Sequence, residues 1–388
     1  MFNRLIDPLE TSSFFVFGAR GTGKSTLLKE RYLGKRSFYI NLLDPELEYR
    51  YSLDPNLLLR EVAALKQKPK WVVIDEIQKV PKLLELVHWM IEDQKQKFIL
   101  TGSSARKLKR GAANLLAGRA NVYNLFPLTF AELGDVESLD EHLRWGSLPH
   151  IFTLKTEREK KSYLNAYIQT YFAEEIRSEQ IIRKLDPFRA FLPILGQVSG
   201  KIVNHANIGK EVGVSTATIQ SYFQIVEDTL LGFYLPAFHV LIRKSQLSSP
   251  KFYIFDTGVK KALEQSLDQK VLPRTSVYGE LFESFIINEI QRLNSYFERD
   301  FRFSYFATKN GVEVDLVLSK ASQHSLVEIK SSQRIDMNEV KRLSALGEEV
   351  PNLKKCFYLS QDPIPQTIKQ VECMHWKQFL KNFAQLLK

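Results

Sequence analysis

The chain has 388 residues, 44% of them apolar and 25% charged, enough for two or three domains that each bury a core. Two cysteines, Cys356 and Cys373, without CxxC spacing exclude a disulfide-stapled scaffold and point to a reducing, cytoplasmic setting. The net charge of +10 is spread along the chain and permits a polyanionic partner, whereas no apolar run is long enough for a membrane span and no signal-type leader is expected.

The first third reads as a nucleotide site. Residues 13–17, SFFVF, form an apolar, β-prone run. Gly18-Ala19-Arg20-Gly21-Thr22-Gly23-Lys24-Ser25 then fits G-x-x-x-x-G-K-[ST] at every fixed position, with Thr26 next on the helix that follows. Glycines let backbone N–H groups converge on phosphate oxygens, and the helix adds its positive dipole end. Lys24 is expected to reach the β- and γ-phosphates of ATP and Ser25 to ligand Mg²⁺. Residues 71–74, WVVI, end in Asp75 and Glu76. Asp75 suits the Mg²⁺ shell, and Glu76 suits orienting or deprotonating the attacking water. Residues 98–100 form a third strand ending in Thr101, Gly102, Ser103 and Ser104. Thr101 is a candidate contact to the γ-phosphate or the attacking water, and Ser103 or Ser104 suits a helix N-cap. Arg106, Lys107, Lys109 and Arg110 read either as a solvated helix face or as phosphate-backbone contacts. Gly118 closes that helix, and a strand opens near Ala120 with Arg119 at the junction. This segment resembles the AAA+ ATPases. The resemblance implies that Arg119 completes a neighbouring subunit's site and that the protein is a homo-oligomer through this domain. A surface arginine favoured by a helix dipole is the plainer reading.

Residues 127–180 read as mostly helical, with Tyr163, Tyr167 and Tyr171 at helical spacing for a packing face. From 188 the pattern is helix, short helix stopped by Gly213, and third helix capped by Ser215. Two strand-like pieces follow in GFYLPAFHVLI. This is the grammar of a winged helix-turn-helix. Thr216, Thr218, Gln220 and Ser221 would face DNA bases, and Arg243 and Lys244 a backbone phosphate at the wing. A purely structural lid or a protein dock remains the alternative.

The last third places Asp256 after a strand-like run and then a helix carrying Glu280 and Glu283 on one face. Residues 301–308 and 312–319 read as strands joined by a turn at Asn310-Gly311, and the second holds Asp315. A third strand carries Glu328 and Lys330, whose spacing of two aims both to one side. A helix and a final strand follow. This order resembles a restriction-endonuclease-like fold. The resemblance makes Asp315, Glu328 and Lys330 its acid and acid-x-lysine signature, with Glu283 as the earlier helix acid. Carboxylates of Glu283, Asp315 and Glu328 would suit Mg²⁺ or Mn²⁺.

The fold class expected is α/β: a P-loop AAA+ domain over 1–135, a helical connector over 136–187, a winged helix over 188–248 and an α/β restriction-endonuclease-like domain over 249–388. GARGTGKST, VVIDEIQKV, LTGSSARKL, LAGRA, FPLTFAE, GVEVDLVL and LVEIKSS together resemble a bacterial and archaeal family of AAA+-type ATPases with such a C-terminal domain. The resemblance implies ATP hydrolysis with DNA binding, remodelling or processing and a possible nuclease centre. Two other readings stay open: a nucleotide-gated switch whose last domain binds without cutting, and a DNA-bound transcription regulator.

Overall fold

The computed structural model describes residues 2–34, 36–103, 118–134, 138–172, 185–239, 249–307 and 312–386. The expected cap at Ser104, the basic run from Arg106 to Arg110, the wing residues Arg243 and Lys244 and the turn at Asn310-Gly311 lie outside them. The chain forms two units: Met1–Leu128 with Leu148–His150 and Asp228–Leu231, and Thr129–Ser147 with Ile151–Glu227 and Gly232–Lys388.

In the first unit, β1 (Ser13–Phe17), β3 (Trp71–Asp75) and β4 (Phe98–Gly102) are buried at every position. Continuous apolar runs of this kind suit a parallel sheet covered on both faces. With β2 (Ser37–Asn41) and β5 (Ala120–Asn124) they make a five-stranded sheet in the order β2-β3-β4-β1-β5, every pair parallel. Its helices are α1 (Lys24–Arg31), α2 (Pro45–Leu53), α3 (Leu57–Ala63) and α4 (Leu83–Glu92). Asp44 caps α2 by accepting from Glu46 N at 2.9 Å, and Pro45 opens it where no N–H is needed. Leu84 and Val87 of α4 and Leu58 and Val62 of α3 pack with Phe15, Ile74 and Leu100 of the sheet in one core. The register sets Phe17 beside Gly102 and Asn41 beside Asp75. Parallel strands therefore deliver the glycine loop, the two acids and the hydroxyl cluster to one edge, where open α/β sheets bind ligands.

The second unit opens with α5 (Phe130–Leu133), α6 (Leu139–Trp145) and α7 (Glu157–Ala166). Reciprocal capping boxes start α5 (Thr129 with Glu132) and α7 (Thr156 with Glu159). The three expected helices are α8 (Leu185–Gln197), α9 (His205–Val212) and α10 (Thr216–Asp228). Ser215 Oγ accepts from Thr218 N at 3.2 Å. Of the strand pieces expected next, the first forms β6 (Gly232–Leu235), and the second runs past residue 239, the last one described there. The antiparallel partner of β6 is β7 (Lys251–Ile254), whereas Ala237 makes a single bridge to Tyr305. Residue pattern declares a strand but not its partner, which here comes from farther along the chain.

After α11 (Thr257–Leu263) runs α12 (Ser276–Tyr296), 21 residues long and started by Thr275, which accepts from Tyr278 N at 3.2 Å. The strands β8 (Arg302–Ala307), β9 (Glu313–Lys320) and β10 (Gln323–Ile329) pair antiparallel in sequence. Helix α13 (Met337–Glu349) returns the chain to β11 (Leu353–Ser360), parallel to β10. Two further strands, β12 (Gln366–Ile368) and β13 (Val371–His375), complete a six-stranded sheet ordered β12-β13-β11-β10-β9-β8, and α14 (Trp376–Leu386) follows. The helix, three strands, helix, strand order is present, extended by a hairpin and a helix. A buried ion pair locks α12: Arg292 Nη1 meets Glu289 Oε1 at 2.9 Å, and Glu289 Oε2 accepts from Phe130 N at 2.8 Å. No described helix is long and apolar enough to cross a membrane.

Candidate functional site

The phosphate-loop edge is organised around Asp75, which is buried at the tip of β3. Ser25, on the first turn of α1, donates to Asp75 Oδ2 at 2.7 Å, and Tyr39 of β2 donates to the same oxygen at 3.0 Å. Thr101 of β4 donates to Oδ1. Burial, then the Asp75 charge, raises the Tyr39 hydroxyl above its ordinary pKa, so it stays a donor. Thr101 Oγ1 also accepts from Glu76 N at 3.0 Å. Its hydroxyl therefore serves both acids directly, a role distinct from the expected phosphate contact.

Lys24 is buried, and its Nζ donates to Gly18 O at 2.8 Å and Ala19 O at 3.4 Å, with Glu76 Oε1 at 3.8 Å. Gly23 holds φ 94°, a left-handed turn that glycine adopts without a Cβ penalty, and this aims the loop into α1. Thr22 is buried and closes the loop through Oγ1 to Ala19 O at 2.8 Å. Arg20, Gly21 and Thr26 are exposed. Glu76 takes φ 62°, rare for a residue with a side chain and the kind of local strain that clusters at functional sites.

Two contributors escaped sequence reading. Arg4 donates to Thr22 O at 2.7 Å and Phe126 O at 2.6 Å, clamping the phosphate loop from the N-terminal segment. Tyr39 joins because the β2–β3 register brings its strand beside Asp75. Neither carries a spacing signal; only the fold brings them in. Arg119 pairs with Glu92. Ala120 aligns with Ser13, the start of β1, so Arg119 lies at the sheet end opposite its own phosphate loop.

The second unit gathers the other expected residues. Lys330 Nζ lies 2.5 Å from Glu328 Oε1 and 3.7 Å from Asp315 Oδ2. Asp315 Oδ2 also accepts from Ile329 N at 2.8 Å. Glu283 of α12 accepts from Tyr253 OH at 2.6 Å and faces Lys251 Nζ at 3.3 Å. Lys251 pairs with Glu313 too. Burial, reinforced by Asp315, pushes the Glu283 and Glu328 carboxyls up, against Lys251 and Lys330 respectively. Burial would lower both lysines, but the surrounding carboxylates outweigh it and hold them above ordinary lysine.

Among the described residues no group of three or more His, Cys, Asp and Glu side chains is placed to hold a metal. Glu283 faces Lys251, and Asp315 and Glu328 face Lys330. Lys251, hidden in the apolar run KFYIF, is the residue that sequence reading missed. Glu280, expected on the same face as Glu283, faces Lys201 at 3.6 Å. On α10, Thr216 and Gln220 are exposed, and Thr218 and Ser221 half-buried.

Residues 10–134 match the model of the AAA domain, in line with the glycine loop and parallel sheet above. Residues 136–270 and 278–379 each match a domain of unknown function, DUF8612 and DUF4143. An uncharacterized protein of Mycobacterium tuberculosis is 24% identical over 340 residues, covering 87% of this chain and 74% of that protein. An uncharacterized protein of Methanocaldococcus jannaschii is 24% identical over 367 residues, covering 87% and 79%. Among solved structures, the Aeropyrum pernix ORC1 protein in complex with DNA covers 66% of this chain and 86% of its own at 12% identity, with a TM-score of 0.29.

Proposed function

We propose that this protein binds and hydrolyses ATP at the β1–α1 edge and uses the cycle to bind and remodel or process DNA. The observation that carries the reading is the meeting of Ser25 and Asp75 at 2.7 Å beside buried Lys24 and Glu76. A hydroxyl and a carboxylate oxygen in contact are hard donors that fit Mg²⁺. When bound there, the ion neutralises charge on the β- and γ-phosphates. Ser25 and Asp75 would hold it. Lys24 exchanges the carbonyls of Gly18 and Ala19 for phosphate oxygens. Glu76 accepts the proton of the attacking water while its oxygen bonds to the γ-phosphorus and the β–γ bridge leaves with its electron pair on ADP. Gly18 to Thr26 form the nucleotide cradle, with Thr101 setting both acids. In a homo-oligomer, Arg119 would reach a neighbour's site from the far end of the sheet.

For the second unit, Thr216, Thr218, Gln220 and Ser221 on α10 are the proposed DNA contacts of a winged helix. The segment from α12 to β11 has the element order of a restriction-endonuclease-like domain. One observation favours a second reading of that domain: Lys251 already pairs with Glu283 and Lys330 with Glu328, as suits a module that binds without cutting. Under that reading the ATPase is a nucleotide-gated switch.

The test is ATP hydrolysis and DNA binding with duplex, branched and single-stranded DNA in Mg²⁺. DNA binding and DNA-stimulated turnover are expected. Absence of both sinks the DNA half and leaves the switch. Comparison with Glu328→Ala isolates cleavage: nicking lost in the variant supports a cutting site, and no nicking by either protein supports the binding module.

A further inference from the structure

Gln78 takes no part in the roles above. It sits on the single turn Ile77–Lys79 that follows left-handed Glu76. Its amide Nε2 donates to Glu76 Oε2 and, at 3.0 Å, to Ser103 Oγ just past β4. One side chain thus ties the acid-bearing strand end to the hydroxyl-bearing one. Its other end is unusual. The carbonyl Oε1 is buried and has no donor, a state that native interiors avoid and that asks for an explanation. Room for that oxygen exists because residue 102 is glycine: a Cβ there would come within 2.7 Å of it. Gly102 O in turn accepts from Gly18 N at 3.3 Å, so the idle acceptor lies at the phosphate-loop edge. Glu76 is held at its backbone by Thr101 and at its tip by Gln78, with Oε1 turned toward Lys24.

We propose that Gln78 is a positioning residue for ATP hydrolysis. Its amide N–H, shared with Ser103 Oγ, fixes the Glu76 carboxylate that is to face the attacking water. The inference rests on Glu76 being the base in the reading above. No bond to Gln78 forms or breaks. Its contribution is orientation: a carboxylate fixed by a donor cannot turn about its terminal bond.

The test uses the full-length protein with Mg²⁺ and ATP. Gln78→Leu removes both polar groups at similar volume, and Gln78→Glu keeps the shape but sets a second carboxylate against Glu76. Both are expected to lower kcat about tenfold to a hundredfold while the Kd for a fluorescent ATP analogue stays at the wild-type value. The double variant Glu76→Gln with Gln78→Leu should be no slower than Glu76→Gln alone, because the two act as a unit. Wild-type kcat in both Gln78 variants, a loss confined to Kd or KM, or a multiplicative double variant would overturn the proposal. Glu76→Gln turning over at the wild-type rate would instead overturn the base on which it rests, and that result is read independently of Gln78.

Discussion

Asp75 shows how one residue collects its partners from two strands and a helix. Its carboxylate meets the hydroxyls of Ser25, Tyr39 and Thr101. Ser25 was legible because the loop motif fixes its spacing from Lys24, and Thr101 because it ends a strand. Tyr39 and Arg4 were not, since a lone tyrosine or arginine announces nothing until register places it. His142 is a residue whose behaviour only the fold reveals. It is buried with neither ring nitrogen partnered, its ring 5.8 Å from Phe285 and 5.9 Å from Phe130. Burial, aided by Arg292 and Lys377, pushes its pKa down to about 4. The folded pKa lies below the unfolded one, so stability is full above about pH 6.5 and is lost as pH falls toward 4. At pH 5 the loss is about 2 kcal/mol. Urea unfolding at pH 7 and pH 5 checks this: His142→Phe should match or exceed wild-type stability at pH 7 and lose most of the acid sensitivity. An unchanged pH dependence in the variant would remove His142 as its source.

Elements were legible in proportion to how local their signals are. The apolar runs of β1, β3 and β4, the cap Ser215, and the order from α12 to β11 could all be read from neighbouring residues. Pairings across long separations could not. β7 reads as a strand, but that it joins β6 and sends Lys251 toward Glu283 of α12 and Glu313 of β9 depends on three distant segments meeting. For the same reason Asp315, Glu328 and Lys330 were legible as a group, while the second lysine, Lys251, was not. Lys251 is thus an internal tie among β7, α12 and β9. Truncating it leaves two partly buried carboxylates without their cation, so Lys251→Met should destabilise the second unit, read as a lower urea midpoint. An unchanged midpoint would mean that the cluster is not held by this ion pair.

At the scale of the molecule, a first unit whose residues 10–134 match the model of the AAA domain is followed by a second unit that carries a three-helix segment and a six-stranded mixed sheet. The glycine loop and its acids made the first legible because their chemistry demands fixed spacing. The task of the second was less so, since an acid-x-lysine pair serves a cutting site and a salt-bridged binding face equally well. ATP turnover at the β1–α1 edge is the proposed activity on which the others depend. The most direct measurement is phosphate release from Mg²⁺-ATP by wild-type protein and Glu76→Gln, with nucleotide binding followed in parallel. The wild type should turn over, and Glu76→Gln should bind ATP as tightly yet release phosphate at least about a hundredfold more slowly. Equal rates in the two proteins, or no nucleotide binding by the wild type, would contradict it.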